Sequence, residues 1–261
     1  MTKDKVVVGI DVGSSKVTTL IGVVQEELAI NIIGVATSPS KGLRKGQVVD
    51  IDEAVSSITQ SLEAAERMAG YSVGTAFVSV DGTHIESQNS KGVVAVGNQN
   101  GEITQEDVLR VVEAARAISL PSTKDILHVI PRNFIVDSQA GIKDPVGMTG
   151  VRLEVETHIV TGAATALRNI VKCIGQVGID VEGLVFSGIA SSYSVLTDTE
   201  KELGVILVDF GGGTTDVTVF TDGAPVHSSV LPVGARNVTN DLAIGLRISL
   251  ESAEKIKLAL S

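Results

Sequence analysis

Residues 206–218 read Ile-Leu-Val-Asp-Phe-Gly-Gly-Gly-Thr-Thr-Asp-Val-Thr, and residues 6–18 read Val-Val-Val-Gly-Ile-Asp-Val-Gly-Ser-Ser-Lys-Val-Thr. Each window runs from an apolar strand through an Asp and glycine to paired hydroxyls and a second β-branched strand. One Asp-x-Gly at a strand end is ordinarily a hairpin turn, in which Gly supplies a positive φ and Asp bonds its own backbone. Two copies predict something more, a chain built from two related halves that share a ligand.

Glycines let successive backbone N–H groups converge on one concavity, and such nests bind anions. Gly13 in the first turn and Gly211, Gly212 and Gly213 in the second are placed to do this, with Ser14, Ser15, Thr214 and Thr215 as added donors. Each charge-assisted contact contributes about 1.5–3 kcal/mol net, so the ligand expected here is a polyphosphate. The carboxylates need a separate reason, because an anion ~4 Å from a phosphate costs about 4 kcal/mol per charge pair at an effective dielectric near 20. Asp11 and Asp209 therefore require a cation between them and the phosphates. Mg²⁺ held through its waters suits that arrangement. Lys16 is either a point charge for a phosphate or an ordinary solvated strand lysine. Strands, not helices, follow both turns, which excludes a P-loop and a dinucleotide fingerprint.

The rest of the composition narrows the partners. With 31 acidic and 21 basic residues the 261-residue chain carries a net charge of −10, and its surface repels phosphate backbones. It has no Trp and only 3% aromatic residues, so it lacks stacking platforms for single strands; no nucleic-acid partner is expected. Cys173 is the only cysteine, which rules out a disulfide framework or thiolate metal cluster and fits a reducing cytoplasm, with the thiol a buried small hydrophobe. Residues 1–11, with Lys3 and Lys5, reach acid and glycine too early for a signal peptide. No apolar run approaches the ~20 residues needed to cross a bilayer. His84, His128, His158 and His227 lack metal-ligand spacing and receive no role.

Along the chain, strands are expected at 6–11, 16–24 and 31–38. A helix follows, with Val55, Ile58, Leu62, Ala65 and Met68 on one face, Asp50 or Asp52 as its cap and Gly70 as its end. After a strand at 75–81 comes a second block, 83–161, with strand segments 84–96, 126–142 and 151–161. One helix lies among them, opening at Thr104 with Asp107 as a capping box and burying Val108, Val111, Val112, Ala115 and Ile118. It reads as an inserted α+β subdomain. A helix at 163–176, a strand at 181–186, a helix at 188–196, strands across 204–221 and 224–231, and a last helix capped by Ser249 complete an α/β pattern.

These motifs resemble a known superfamily. The stretch from Asp11 to Lys16 resembles the first phosphate motif of actin-like ATPases, and that from Asp209 to Asp216 the second. More narrowly, His128-Val-Ile-Pro131, Gly141-Ile-Lys-Asp-Pro-Val-Gly147 and Ala190-Ser-Ser-Tyr-Ser-Val-Leu196 are similar to the FtsA family of bacterial cell-division proteins, over essentially the whole chain. The resemblance implies an actin-like, ribonuclease H-like, two-lobed fold with ATP and Mg²⁺ at the base of its cleft. It divides the chain into subdomain IA (1–82 and 162–190), an inserted SHS2-like subdomain IC (83–161), part of IIA (191–232) and the start of IIB (233–261). It assigns Val233-Gly-Ala-Arg236 with Asn240, and the Glu254/Lys257 pair, to ribose and base, so Gly234, Asn240, Glu254 and Lys257 join the nucleotide set. By spacing alone, that i, i+3 pair is equally a solvated ion pair.

The resemblance further implies polymerisation through IC, docking of the FtsZ C-terminal tail, contacts with later division proteins such as FtsN, and tethering of the FtsZ ring to the inner face of the cytoplasmic membrane. Family members continue past Ser261 with the rest of IIB and a C-terminal amphipathic helix, so membrane binding and FtsZ docking are not expected of these residues alone. Vigorous relatives carry an acidic or amide residue where this chain has Phe186-Ser187-Gly188, so Asp209 and Asp216 become the nearest water-orienting carboxylates and at most a slow Mg-dependent ATPase is expected. The alternative is a small-molecule kinase of the sugar-kinase type, which shares the phosphate loops but needs a dedicated Asp base that the insert does not display. An ATP-gated chaperone would need a peptide domain for which the chain has no room.

Overall fold

Val8, Ile10 and Val12 alternate inward along the first strand, β1 (Lys5–Val12), and this period-2 pattern anchors the first lobe. The computed structural model describes residues 5–25, 29–98 and 100–260; Lys3 lies outside the described residues. Next come β2 (Lys16–Val24), β3 (Ile30–Pro39), a tight hairpin of β4 (Leu43–Arg44) and β5 (Gln47–Val48), α1 (Ile51–Ala69) and β6 (Thr75–Val80). Asp50, not Asp52, caps α1, accepting from the Glu53 N–H, and Gly70 ends it at φ 64°. The face bearing Ala54, Ile58, Leu62 and Ala65 is buried against β2 and β3. Small residues permit the close approach: a Cβ on Gly34 would lie 2.6 Å from the Ala65 carbonyl oxygen.

An insert separates β6 from the strand that completes its sheet. It comprises β7 (Glu86–Ala95), α2 (Gln105–Arg116), β8 (Lys124–Val136), β9 (Gln139–Ile142) and β10 (Arg152–Ala163), and α3 (Ala164–Gln176) leads to β11 (Asp180–Phe186). The five-stranded sheet has the order β11-β6-β1-β2-β3, with β6 parallel to both β1 and β11. The carboxyl ends of three strands therefore share one edge, the usual ligand edge of an α/β sheet. The insert forms its own sheet, β7-β10-β8-β9, with α2 packed on it around Ile103, Val111, Ala115, Leu153 and Val155. Where one strand was expected at 126–142 there are two, because Asp137 and Ser138 turn the chain at positive φ. Ile118 falls beyond the end of α2.

The second lobe holds α4 (Ser187–Val195), α5 (Asp198–Leu203), β12 (Val205–Phe210), β13 (Thr215–Thr221), β14 (Ala224–Leu231), α6 (Ala235–Leu246) and α7 (Leu250–Ala259), with an antiparallel sheet β12-β13-β14. Ile85, Val160, Phe186, Ile189 and Phe220 form one apolar junction between both lobes and the insert. A polar seam runs beside it. His158, fully buried, bonds Asn89 Oδ1 at 2.9 Å and Ser228 Oγ at 3.0 Å. The Ser87 hydroxyl donates to the Ser228 carbonyl at 2.8 Å and accepts from the Ser228 N–H at 2.9 Å. Among the described residues no helix is long and apolar enough to cross a membrane.

The capping box of α2 gives a direct test. Asp107, 2% exposed, accepts from the Thr104 N–H at 2.9 Å, the Thr104 hydroxyl at 2.8 Å, the Gly97 N–H at 3.1 Å and Arg110. These bonds, the Thr104 backbone first, hold its carboxyl well below the usual range. Its stabilisation is thus present above the unfolded value near 3.8 and lost as pH falls through the depressed folded value. Asp107→Ala should lower the unfolding free energy in urea by about 2–3 kcal/mol at neutral pH, against less than about 0.5 for the exposed neighbour Glu106→Ala, with the difference shrinking below pH ~4.

Candidate functional site

Two hairpin turns of the same construction face each other at the sheet edge. The Gly13 N–H donates to the Lys16 carbonyl at 3.0 Å, and the Gly211 N–H to the Thr214 carbonyl at 2.9 Å. Strand register pairs Asp11 with Thr18 and Asp209 with Asp216. Asp11 therefore corresponds to Asp209, Gly13 to Gly211 and Lys16 to Thr214. The hydroxyl pairs that looked alike in sequence do not correspond: Ser14 and Ser15 stand where the second turn has Gly212 and Gly213. Contact between the turns explains the substitution. A Cβ on Gly212 would lie 2.7 Å from Ser15 Cβ, and one on Gly213 would lie 3.2 Å from Ser14 Cβ. Where the two turns touch, the serines of one meet glycines of the other.

Carboxylates crowd the edge beside these turns. Asp11 ends β1, Asp81 follows β6, and Ser187 follows β11, while Asp209 and Asp216 face them from the second lobe. Ser79 donates to Asp11 Oδ1 at 2.6 Å and Ser191 to Asp209 Oδ2 at 2.7 Å, and no hydrogen bond to the other oxygen of either group is found among the described residues. Asp216 is 5% exposed, and its Oδ1 is buried without a partner. Burial, then the proximity of Asp81, Asp209 and Asp11, pushes its carboxyl up to about 9. Asp216 also shares a hydrogen bond with Asp81, so the raised proton affinity belongs to that pair of carboxyls. Asp11 is also raised, chiefly by burial and further by Asp209, against the opposing Ser79 bond. Its carboxyl faces the open cavity yet is ringed by protein, which is how solvent contact and desolvation coexist.

A cavity of about 670 Å³ opens over this edge. It brings together most of the sequence-predicted residues: Asp11, Gly13, Ser14, Ser15, Lys16, Asp209, Gly211, Gly212, Thr214, Asp216, Glu254 and Lys257. Lys257 Nζ meets Glu254 Oε2 at 2.7 Å and Thr239 Oγ1 at 2.9 Å, so the pair is a braced, half-buried clasp joining α7 to α6. Four expected residues do not line it. Gly213 packs on Ser14, and the Thr215 hydroxyl donates to the Val233 carbonyl at 2.6 Å. Gly234 lies behind the second turn, and Asn240 is exposed on α6. Among the cavity residues outside the expected site set, two are charged, Asp81 and Arg236. Asp81 ends a strand before a glycine, as Asp11 nearly does, but only the single hydroxyl of Thr83 follows that glycine, where the two turns carry hydroxyl pairs. Arg236 sits in the segment assigned to the nucleoside, one turn before Asn240. Among the described residues no three acidic, His or Cys side chains could ligate one metal directly.

Comparisons with known proteins give the family context. Residues 82–161 match the family model described as "SHS2 domain inserted in FTSA", and residues 206–261 match "Cell division protein FtsA". The cell division protein FtsA of Pseudomonas aeruginosa is 44% identical over 254 residues, covering 97% of this chain and 60% of the relative. The chain thus spans about 60% of the length of the curated relatives it matches. Among solved structures, one described as a PilM-PilN type IV pilus biogenesis complex superposes with a TM-score of 0.68 at 16% identity, covering 96% of this chain and 68% of that one. MreB5 of Spiroplasma citri bound to ADP gives 0.51 at 12% identity, covering 97% and 61%. The fold is therefore actin-like, as the two turns implied.

Gly234 supplies a test of how the second turn is held. The Ala235 and Arg236 N–H groups at the start of α6 donate to the Gly211 and Gly212 carbonyls at 3.0 and 2.9 Å, and a Cβ on Gly234 would lie 2.7 Å from backbone atoms of Gly211, Gly212 and Gly213. Backbone cannot step aside as a flexible side chain can. Gly234→Ala should cost about 1–3 kcal/mol in chemical denaturation, whereas Asn240→Ala on the same helix should stay within about 0.5.

Proposed function

This chain belongs to the FtsA family of cell division proteins, and from that premise we propose that its cleft binds ATP with Mg²⁺ and serves as the nucleotide switch of a division scaffold. The observation that carries the proposal is the meeting of two equivalent glycine turns over one cavity, with an unengaged carboxylate oxygen on each side. Asp11 and Asp209 would hold a hydrated Mg²⁺ through its waters, in keeping with a donor set too spread to chelate a bare ion. The buried, unpartnered Asp216 Oδ1 is a further oxygen suited to such a shell. Bound Mg²⁺ would offset the charge of the phosphates.

The chain's own groups do the rest. The Gly13 and Gly211 N–H groups close the hairpins, which leaves the Gly212 amide as the donor to phosphate oxygens, while Lys16 adds a point charge and Arg236, Glu254 and Lys257 line the far side, where the nucleoside fits. Gly213, Thr215 and Gly234 act from behind by holding the second turn. That MreB5 of Spiroplasma citri is described with ADP is in keeping with a nucleotide in this fold. With Asp209 and Asp216 as the nearest water-orienting carboxylates and a serine at 187, hydrolysis would be slow. The family name selects a division protein over the small-molecule kinase that the same turns could serve.

For the whole protein we propose polymerisation through the insert at 83–161, capture of the FtsZ C-terminal tail, contacts with later division proteins such as FtsN, and attachment of the FtsZ ring to the inner face of the cytoplasmic membrane. The corresponding division is IA at 1–82 and 162–190, IC at 83–161, IIA from 191 to 232 and IIB from 233. These points rest on family membership.

Saturating MgATP should raise the stability of the chain, by about 2.7 kcal/mol at a hundredfold excess over Kd. Asp209→Ala and Gly212→Val should each abolish that gain in thermal melts; stabilisation of both variants like the parent would place the site elsewhere. In sedimentation, the full-length protein with MgATP and lipid vesicles should form species longer than dimers, and persistent monomers would count against a polymer.

A further inference from the structure

Asp81 is the cleft carboxylate with both oxygens engaged by its surroundings. Its Oδ1 accepts from the Gly82 N–H and its Oδ2 from the Thr214 hydroxyl, and Asp216 shares a further hydrogen bond with it. The two residues stand on opposite sides of the cleft, Asp81 at the end of β6 in the first lobe and Thr214 in the second glycine turn. Asp81 is braced from below. A Cβ on Gly46, in the β4–β5 turn, would lie 2.6 Å from the Asp81 carbonyl carbon and oxygen, and the Gly46 N–H donates to Ser14 Oγ at 2.9 Å. Lys45 in the same turn takes φ 51°, an unfavourable region for a lysine, and its N lies beside Gly213. The first turn, the β4–β5 turn, Asp81 and the second turn thus form one connected chain of contacts.

We propose that Asp81 is a positioning residue for phosphate binding, holding the Thr214 hydroxyl and the second turn in place in the ligand-free cleft and giving up that hydroxyl to a phosphate oxygen when a polyphosphate enters. This rests on the nucleotide role argued above. Thr214 has a single O–H proton, so carboxylate and phosphate compete for it. Asp81 also carries the wrong sign of charge for a phosphate neighbour. Its presence therefore orders the turn at the expense of affinity.

The test uses the chain as it is, with Asp81→Ser and Thr214→Val, which remove opposite halves of one hydrogen bond. Amide exchange in peptides covering 209–216, without nucleotide, should quicken roughly tenfold in both variants, the scale of a bond to a charged group. Titration with MgADP should then separate them: Asp81→Ser binds roughly tenfold more tightly, Thr214→Val more weakly. Weaker binding by both variants, or unchanged exchange, overturns the proposal. Should Asp81→Ser fail to fold, Asp81→Asn keeps the size, removes the charge and should also bind MgADP more tightly. A parent chain whose exchange responds as expected but which fails to bind MgADP overturns the nucleotide role instead, and the positioning role with it.

Discussion

Between Gly212 and Ser15 the two hairpin turns approach so closely that a single methyl group does not fit. Much of the cleft follows from this steric limit. It forces glycine at 212 and 213, against Ser15 and Ser14, and it leaves the second turn with exposed carbonyls that need partners. The first turn of α6 supplies them, which in turn demands glycine at 234. With α6 so placed, Thr239, Glu254 and Lys257 come together and close the far wall. A chain of backbone contacts, not a large apolar core, sets the shape of the cavity.

Charge is the second constraint. Four carboxylates, Asp11, Asp81, Asp209 and Asp216, converge where only Lys16 is close by in sequence. Burial and mutual repulsion raise Asp11 and Asp216, so the cleft stores unfavourable electrostatics that the well-packed sheet and α1 tolerate. Such local cost is usual where a fold is shaped for a ligand instead of for stability. Around it, polar satisfaction is nearly complete: serines at 79, 187 and 191 each donate into the site or its backbone.

Features encoded by near neighbours were legible in the sequence. The stripe of Ile58, Leu62 and Ala65, the Asp50 cap and the Thr104–Asp107 box all depend on residues a few positions apart and stand as expected, although Met68, at the end of the expected stripe, is exposed. The two glycine turns were legible for the same reason. Their correspondence was not, because matching composition ignores turn length, and only strand register shows that Lys16 and Thr214 are equivalent. Asp81 stayed hidden because its importance arises from β6 lying parallel beside β1, with sixty-odd residues between them. The two-residue strands β4 and β5, the short α5 and the glycine-, threonine- and asparagine-containing α6 gave too little periodicity to be recognised. Thr215 and Gly234 were drawn into the ligand set because position near a motif does not reveal which way a side chain faces.

The seam of Ser87, Asn89, His158 and Ser228 has a mechanical corollary. Ser87 both donates to and accepts from the backbone of Ser228, imitating with a side chain the paired bonding of neighbouring strands. Directional bonds of this kind resist sliding far more than apolar packing does. A swing of the second lobe about the cleft would therefore carry the insert with it like a crank, or else snap the seam, so the insert's distant surface would move in step with the lobe.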